Sequence, residues 1–458
     1  MLFKTNGRFG IRKQCVVTKI LVLSGLMVVL NGCGDPTAET LDKWEKTEKG
    51  PKKLEKMLRS EGDTLGLRVH AAHNLMHLGK KHLVLDVVSS LPSAIKGVFV
   101  EKFVERIWID ARIKGAMDVP TSKQKEAKDM LVNLRPHATS KNLVAIDMHL
   151  VDWLTHGYYE GRSTSGSWAG SEIIRLIGPK AAPALLSDAQ ATLLKTSDRE
   201  GKKKKIGDET LLGLAMSGDS KALLFLLDQV MKTEEEASML PQRAMAALHK
   251  AYFGLPEDKR ANPGYLSNVK SELFSIVESK SLRARFVNDA IDLASVMDVS
   301  DCLPLFIGMI TDTKRVEPYR WIGTQRAIQC GGVKAISPAL EALPEDENYE
   351  KRKLDKYLWA EILKIEDRKS VARELNRVLE SSSWVAQASA IEVLMSLSYG
   401  PLANENVKKI SMLKGETRVL RGWKDGQSKR KTIKKKEPTL GEIATEAVAL
   451  LERVANQG

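Results

Sequence analysis

Four of the chain's eight histidines fall within thirteen residues, at His70, His73, His77 and His82. The first three are spaced i, i+3 and i+7, which puts them on one face of a helix. Imidazoles on adjacent turns can share a Zn²⁺ or Cu²⁺ ion. The same spacing suits a merely polar strip, and no neighbouring Cys or carboxylate has ligand-like spacing. A second cluster is aromatic. Trp153, Tyr158, Tyr159 and Trp168 lie in one Gly- and Ser-bearing stretch of a chain that is only 5% aromatic. Rings mixed with small polar residues bind sugars or peptides by stacking and hydrogen bonding, or else pack an insertion against itself. Two basic runs, Lys202 to Lys205 and Lys429 to Lys436, are flanked by Gly, Asp or Ser and read as loops. Anionic headgroups or acidic polymers suit them, and a solvated insertion is the plain alternative.

No Gly-x-Ser-x-Gly, His-Glu-x-x-His, Cys-x-x-Cys or phosphate-cradling Gly-rich loop occurs. Most Asp and Glu residues follow helical i,i+4 charge patterns. The chain is therefore expected to be non-catalytic, to need no cofactor and to take no small-molecule ligand.

The N-terminus carries an address. Lys4, Arg8, Arg12, Lys13 and Lys19 precede an apolar run from Ile20 to Leu30, with no acidic residue among them. A basic head, an apolar run of about 7–15 residues and small residues at its exit make a secretory signal peptide. The run is too short for a membrane span, which needs roughly 20 residues. The ending Leu30-Asn31-Gly32-Cys33 resembles a bacterial lipobox. The resemblance implies cleavage before Cys33 and acylation of that residue, with residues 33–50 as a tether. A plain cleaved signal with an incidental Cys is the alternative. Removing residues 1–32 takes away five basic residues, so the net charge falls from +13 to +8. That weakens a nucleic-acid role, as does export itself.

The elements that would position these residues recur. Gly178, Gly218, Gly254, Asp298, Gly332, Asp367 and Gly400 mark turns between amphipathic segments, at gaps of 40, 36, 44, 34, 35 and 33 residues. A period of ~33–47 with paired helices is the signature of a helical solenoid. Each pair exposes an apolar face too large to cover alone, so pairs stack. Pro183, Pro304 and Pro338 each precede an apolar pair, in Pro183-Ala-Leu, Pro304-Leu-Phe and Pro338-Ala-Leu. Here the chain resembles HEAT repeats, which place a Pro in the first turn of their second helix, where it is tolerated. The stretch from Leu67 to Gly79 similarly resembles a HEAT first helix. The likeness covers residues 51–110 and 165–405, and armadillo or TPR arrays remain alternatives. Residues 92–150 read as longer helices without the turn motif. Thr439 and Glu442 form a capping box. They open a final helix whose stripe is Leu440, Ile443, Ala444, Ala447, Leu450, Leu451 and Val454.

The expected fold is thus an all-α, right-handed α-solenoid of HEAT/armadillo-like pairs over 51–423, then a basic loop (424–438) and a capping helix (439–458). Cys302 and Cys330 are the remaining cysteines after Cys33 in the exported chain. Cys302 starts the second helix of one repeat and Cys330 ends the first helix of the next. Antiparallel succession brings those ends together, so the pair either bridges or lies as two buried thiols. The expected role is a lipid-anchored envelope scaffold with protein partners, on the outer membrane rather than the inner. The alternatives are a polysaccharide- or peptidoglycan-binding protein, or a metal-binding protein through His70, His73 and His77.

Overall fold

The computed structural model describes residues 36–112, 120–155, 164–194, 205–232, 239–312, 314–315, 317–345, 353–397, 401–420 and 438–455. The expected signal segment and Cys33, the expected turn position Gly400, Tyr158, Tyr159, Lys202 to Lys204 and Lys429 to Lys436 lie outside these residues. Among the described residues the regular structure is helical, apart from one isolated bridge between Val419 and Thr439. No helix among them is long and apolar enough to cross a membrane. The chain divides into two compact units, residues 1–173 and 174–458.

The first unit holds α1 (Ala38–Glu45), α2 (Gly50–Arg59), α3 (Leu65–His77), α4 (Lys81–Ser90), α5 (Ser93–Ala111), α6 (Ser122–Leu134) and α7 (Ser140–Thr155). Each helix packs on the next, and alternate helices also pack together. One rank runs α1, α3, α5, α7 and the other α2, α4, α6. Helix α3 is central. Thr64 caps its start by accepting from Leu67 N, and Gly79 ends it in a left-handed turn (φ 71°). There Gly79 N donates to Met76 O and Lys80 N to Leu75 O, both at 2.9 Å, which satisfies carbonyls that the helix leaves open. Ala71, Ala72, Leu75 and Met76 are fully buried, and the small pair lets neighbours approach closely.

Helix α1 lies within the stretch expected as a tether, residues 33–50. Residues 38–45 form a capped helix. Thr37 accepts from Thr40 N, and Leu41 is fully buried where α1 meets α2 and α3. Burying one Leu contributes roughly 2 kcal/mol.

Helix α8 (Gly170–Ile177) straddles the boundary at residue 173. The second unit continues with α9 (Ala182–Leu194), α10 (Asp208–Ser217), α11 (Ser220–Met231), α12 (Leu240–His249), α13 (Lys270–Glu278), α14 (Ala284–Ser295) and α15 (Val299–Thr311). It closes with α16 (Glu317–Gly331), α17 (Ile336–Glu341), α18 (Lys353–Ile362), α19 (Arg368–Val378), α20 (Trp384–Leu397), α21 (Pro401–Ser411) and α22 (Leu440–Ala455). The even-numbered helices α10 to α22 pack in succession as one rank. The odd-numbered ones form another, α9 to α13 and α15 to α21.

Several turn expectations are refined. Gly178, Gly218 and Gly332 adopt positive φ, but Gly254 instead closes a π turn, Lys250–Gly254. Asp298 and Asp367 stand at the N-caps of α15 and α19. Pro183 and Pro338 fall in first turns, whereas Pro304 is the sixth residue of α15. Pro304 has no N–H to give, so the carbonyl four residues earlier goes without its helical bond. In α22, Thr439 N donates to Glu442 Oε2 at 2.8 Å and Glu442 N to Thr439 Oγ1 at 3.1 Å. Leu450, expected in the apolar stripe, is exposed, and Val448 is buried instead.

Candidate functional site

The histidine strip acquires its partners from helices on either side in its own rank. Helix α3 carries His70, His73 and His77 between α1, which supplies Asp42 and Glu45, and α5, which supplies Asp110 and Arg106. His73 Nε2 lies 2.5 Å and His77 Nε2 2.8 Å from the same oxygen, Asp110 Oδ2. The two rings are 4.2 Å apart between centroids. On its other side, His77 Nδ1 is 3.7 Å from Glu45 Oε1. His73, His77 and Asp110 each offer a ligand atom, and these atoms lie within 4.8 Å of one another.

His70 does not join this cluster. It pairs with Asp42 Oδ1 at 2.5 Å, and Asn74 donates to the same oxygen at 3.1 Å. The expected triple His70, His73, His77 is therefore replaced by His73, His77 and Asp110. His82 lies on α4 and is exposed. Sequence spacing missed Asp42, Glu45 and Asp110, because they come from 32 to 37 residues away along the chain from the imidazoles and Asn74 that meet them, or 28 for His70. Thr37 as a cap, followed by Leu41 and then Asp42 and Glu45 at i,i+3, was the available signal for α1.

Electrostatics set the proton states. Burial pushes His73 down to about 4, with the His77 imidazole adding to the effect. Burial alone would raise Asp110, but the two imidazoles hold its carboxyl below the usual value. The hydrogen bond from His70 holds Asp42 low as well. His73 Nδ1 is buried and has no hydrogen-bond partner among the described residues.

The aromatic stretch is organised around a buried amine. Lys128, on α6, is fully buried, and its Nζ donates to Ser165 O at 2.6 Å and Trp168 O at 2.8 Å. It pairs with Asp129 Oδ1 at 2.7 Å and lies 5.3 Å from the centre of the Trp153 ring. Asp129 in turn accepts from Ser167 N and Trp168 N. Trp153 belongs to the last turn of α7 and is 2% exposed, so it offers no face to a sugar or peptide. Trp168 gives its indole N–H to Asn133 Oδ1 at 3.2 Å. Residues 164–168 thus form a wall of the core around Lys128.

Cys302 and Cys330 are bonded, with Cα atoms 6.5 Å apart, and tie the first turn of α15 to the last turn of α16. On the even rank of the second unit, Trp321 of α16 and Tyr357 of α18 pack ring to ring at 4.8 Å, yet are 40% and 39% exposed. Comparison with models of known families and with curated proteins finds no match to this chain.

Proposed function

We propose that this chain is a non-catalytic, lipid-anchored envelope protein whose HEAT-like helical array serves as a scaffold for a protein partner. The observation that carries the reading is the two-rank packing, in which many consecutive helices pair and alternate helices stack side by side. Such ranks leave long outer faces uncovered, and arrays of this kind present extended surfaces to extended partners. The exposed Trp321–Tyr357 pair supports it further, because Trp and Tyr dominate binding hot spots. The Cys302–Cys330 bond fits an oxidising compartment. Acylation at Cys33, favouring the outer membrane, is the anchor in this reading. Several acyl chains would hold it firmly at ~0.8 kcal/mol per buried CH₂.

The polysaccharide reading loses support, since Trp153 is in the core rather than in a binding loop. Mild crosslinking of the intact lipoprotein in its own envelope, followed by affinity capture, tests the proposal. A defined protein should be recovered with the wild type and lost with Trp321→Ala/Tyr357→Ala. Recovery of no partner, or of peptidoglycan fragments alone, would sink it.

A further inference from the structure

We propose that His73, His77 and Asp110 bind a divalent transition-metal ion, best fitted by zinc, with Glu45 orienting His77 from behind. This inference lies in the first unit and does not depend on the scaffold reading. Three helices converge on the site, and the convergence is unusually narrow. Both Nε2 atoms address one carboxylate oxygen, at 2.5 and 2.8 Å. A single ion pair would satisfy Asp110 with one imidazole, whereas two imidazoles and a carboxylate make a ligand set that zinc takes readily.

The distances allow an ion with little movement. Zinc bonds of about 2.0–2.2 Å in a tetrahedron put ligand atoms about 3.3 Å apart. The three atoms need open by only about an ångström, through side-chain rotation at His77 and Asp110, which are of intermediate exposure, and at the buried His73. Binding requires both Nε2 atoms bare, so each neutral ring then carries its proton on Nδ1. No net proton is released from neutral imidazoles by that tautomer change. The Nδ1–H of His77 would face Glu45 Oε1, now 3.7 Å away. A carboxylate behind a ligating histidine is the usual supporting contact at such sites.

Charge points the same way. Glu45 and Asp110 bring two negative charges to the neutral imidazoles, against one positive from Arg106, which acts on His73. The site is then net negative and draws a cation. The Glu45 and Asp110 side chains are only 24% and 27% exposed, so their two charges are partly withdrawn from water, and a bound cation offsets that cost.

The test is a titration of the chelator-treated full chain with zinc chloride by calorimetry. One ion per chain is expected. His77→Ala and Asp110→Asn should each weaken binding at least about tenfold, while His82→Ala, an exposed histidine outside the cluster, should leave it unchanged. Asp110→Asn preserves side-chain shape, and its circular dichroism should match the wild type. Cobalt provides a second readout, with the visible bands of a nitrogen- and oxygen-ligated ion present in the wild type and absent in Asp110→Asn. Failure of the wild type to take up zinc would overturn the proposal, as would uptake that survives both substitutions.

Discussion

Lys128 is the residue on which the first unit's interior turns. Its ammonium is out of water and is held by Asp129 and two backbone carbonyls. Lys128→Met leaves those acceptors facing an apolar side chain. Asp129 keeps its bonds from Ser167 N and Trp168 N, so the loss should be about 3 kcal/mol, the low end for breaking a buried ion pair. The pH dependence has a definite sign. Burial pushes the Lys128 ammonium below its ordinary value of 10.5, with Asp129 pulling the other way. The folded state then binds this proton more weakly than the unfolded chain does. Stability therefore rises as pH climbs through the lowered folded value, and the rise ends near 10.5. Urea denaturation from neutral pH to 10.5 should show the wild type gaining on Lys128→Met; a constant gap would mean that folding does not weaken this amine's hold on its proton. This residue also explains why the aromatic stretch misled a reading by composition. Nothing local to Trp153 or Trp168 shows that a lysine from α6 fills the space between them. The histidines were legible because three residues of one helix share a face by spacing alone. Their carboxylates were not, since only the packing of α1 and α5 beside α3 supplies them.

Helices begin and end here on a few residues whose roles were legible from type. Gly218 is the clearest, closing α10 at φ 66° before Asp219 caps α11 by accepting from Ala222 N at 3.0 Å. Backbone strain is half of its constraint. The other half is Tyr265, whose ring would lie 2.0 Å from a Cβ at this position. Gly218→Ala should thus cost about 2–4 kcal/mol, combining left-handed strain with overpacking. In a Tyr265→Ala background the overpacking disappears, and the same change should cost only about 1 kcal/mol. Thermal unfolding of the four proteins measures the coupling, and equal costs in both backgrounds would refute the steric half. Asp219→Ala should cost about 1 kcal/mol, as loss of a helix cap does. The Gly signal was readable because few other residues tolerate such a turn. Tyr265 was not readable, because it reaches Gly218 from 47 residues along the chain. Pro304 and Gly254 show the limit of reading turns by type. Each marks a helix pair, yet one lies in the second turn of α15 and the other closes a π turn.

At the scale of the molecule, the question is whether the second unit behaves as a stacked array or as one cooperative core. The Cys302–Cys330 bond separates these cases. It closes a loop with a sequence separation of 28 residues between neighbouring helices, worth about 3–4 kcal/mol in the chain-entropy model. In an array each pair is stabilised only by itself and its neighbours, so removing the bond lowers stability locally and the effect decays along the ranks. In a single core the same loss would spread through every element, because no part could open alone. Hydrogen exchange on Cys302→Ser/Cys330→Ser should show faster opening in α14 to α17, a smaller change in α12 and α18, and none in residues 36–112. Two further features favour this outcome. Each described helix packs chiefly on helices one and two places away in sequence, and the bond itself joins consecutive helices. A uniform rise in exchange across residues 205–397 would instead identify one cooperative core. It would remove the physical basis for reading these ranks as an extended binding surface, because that reading needs repeats that hold their shape through nearest neighbours alone.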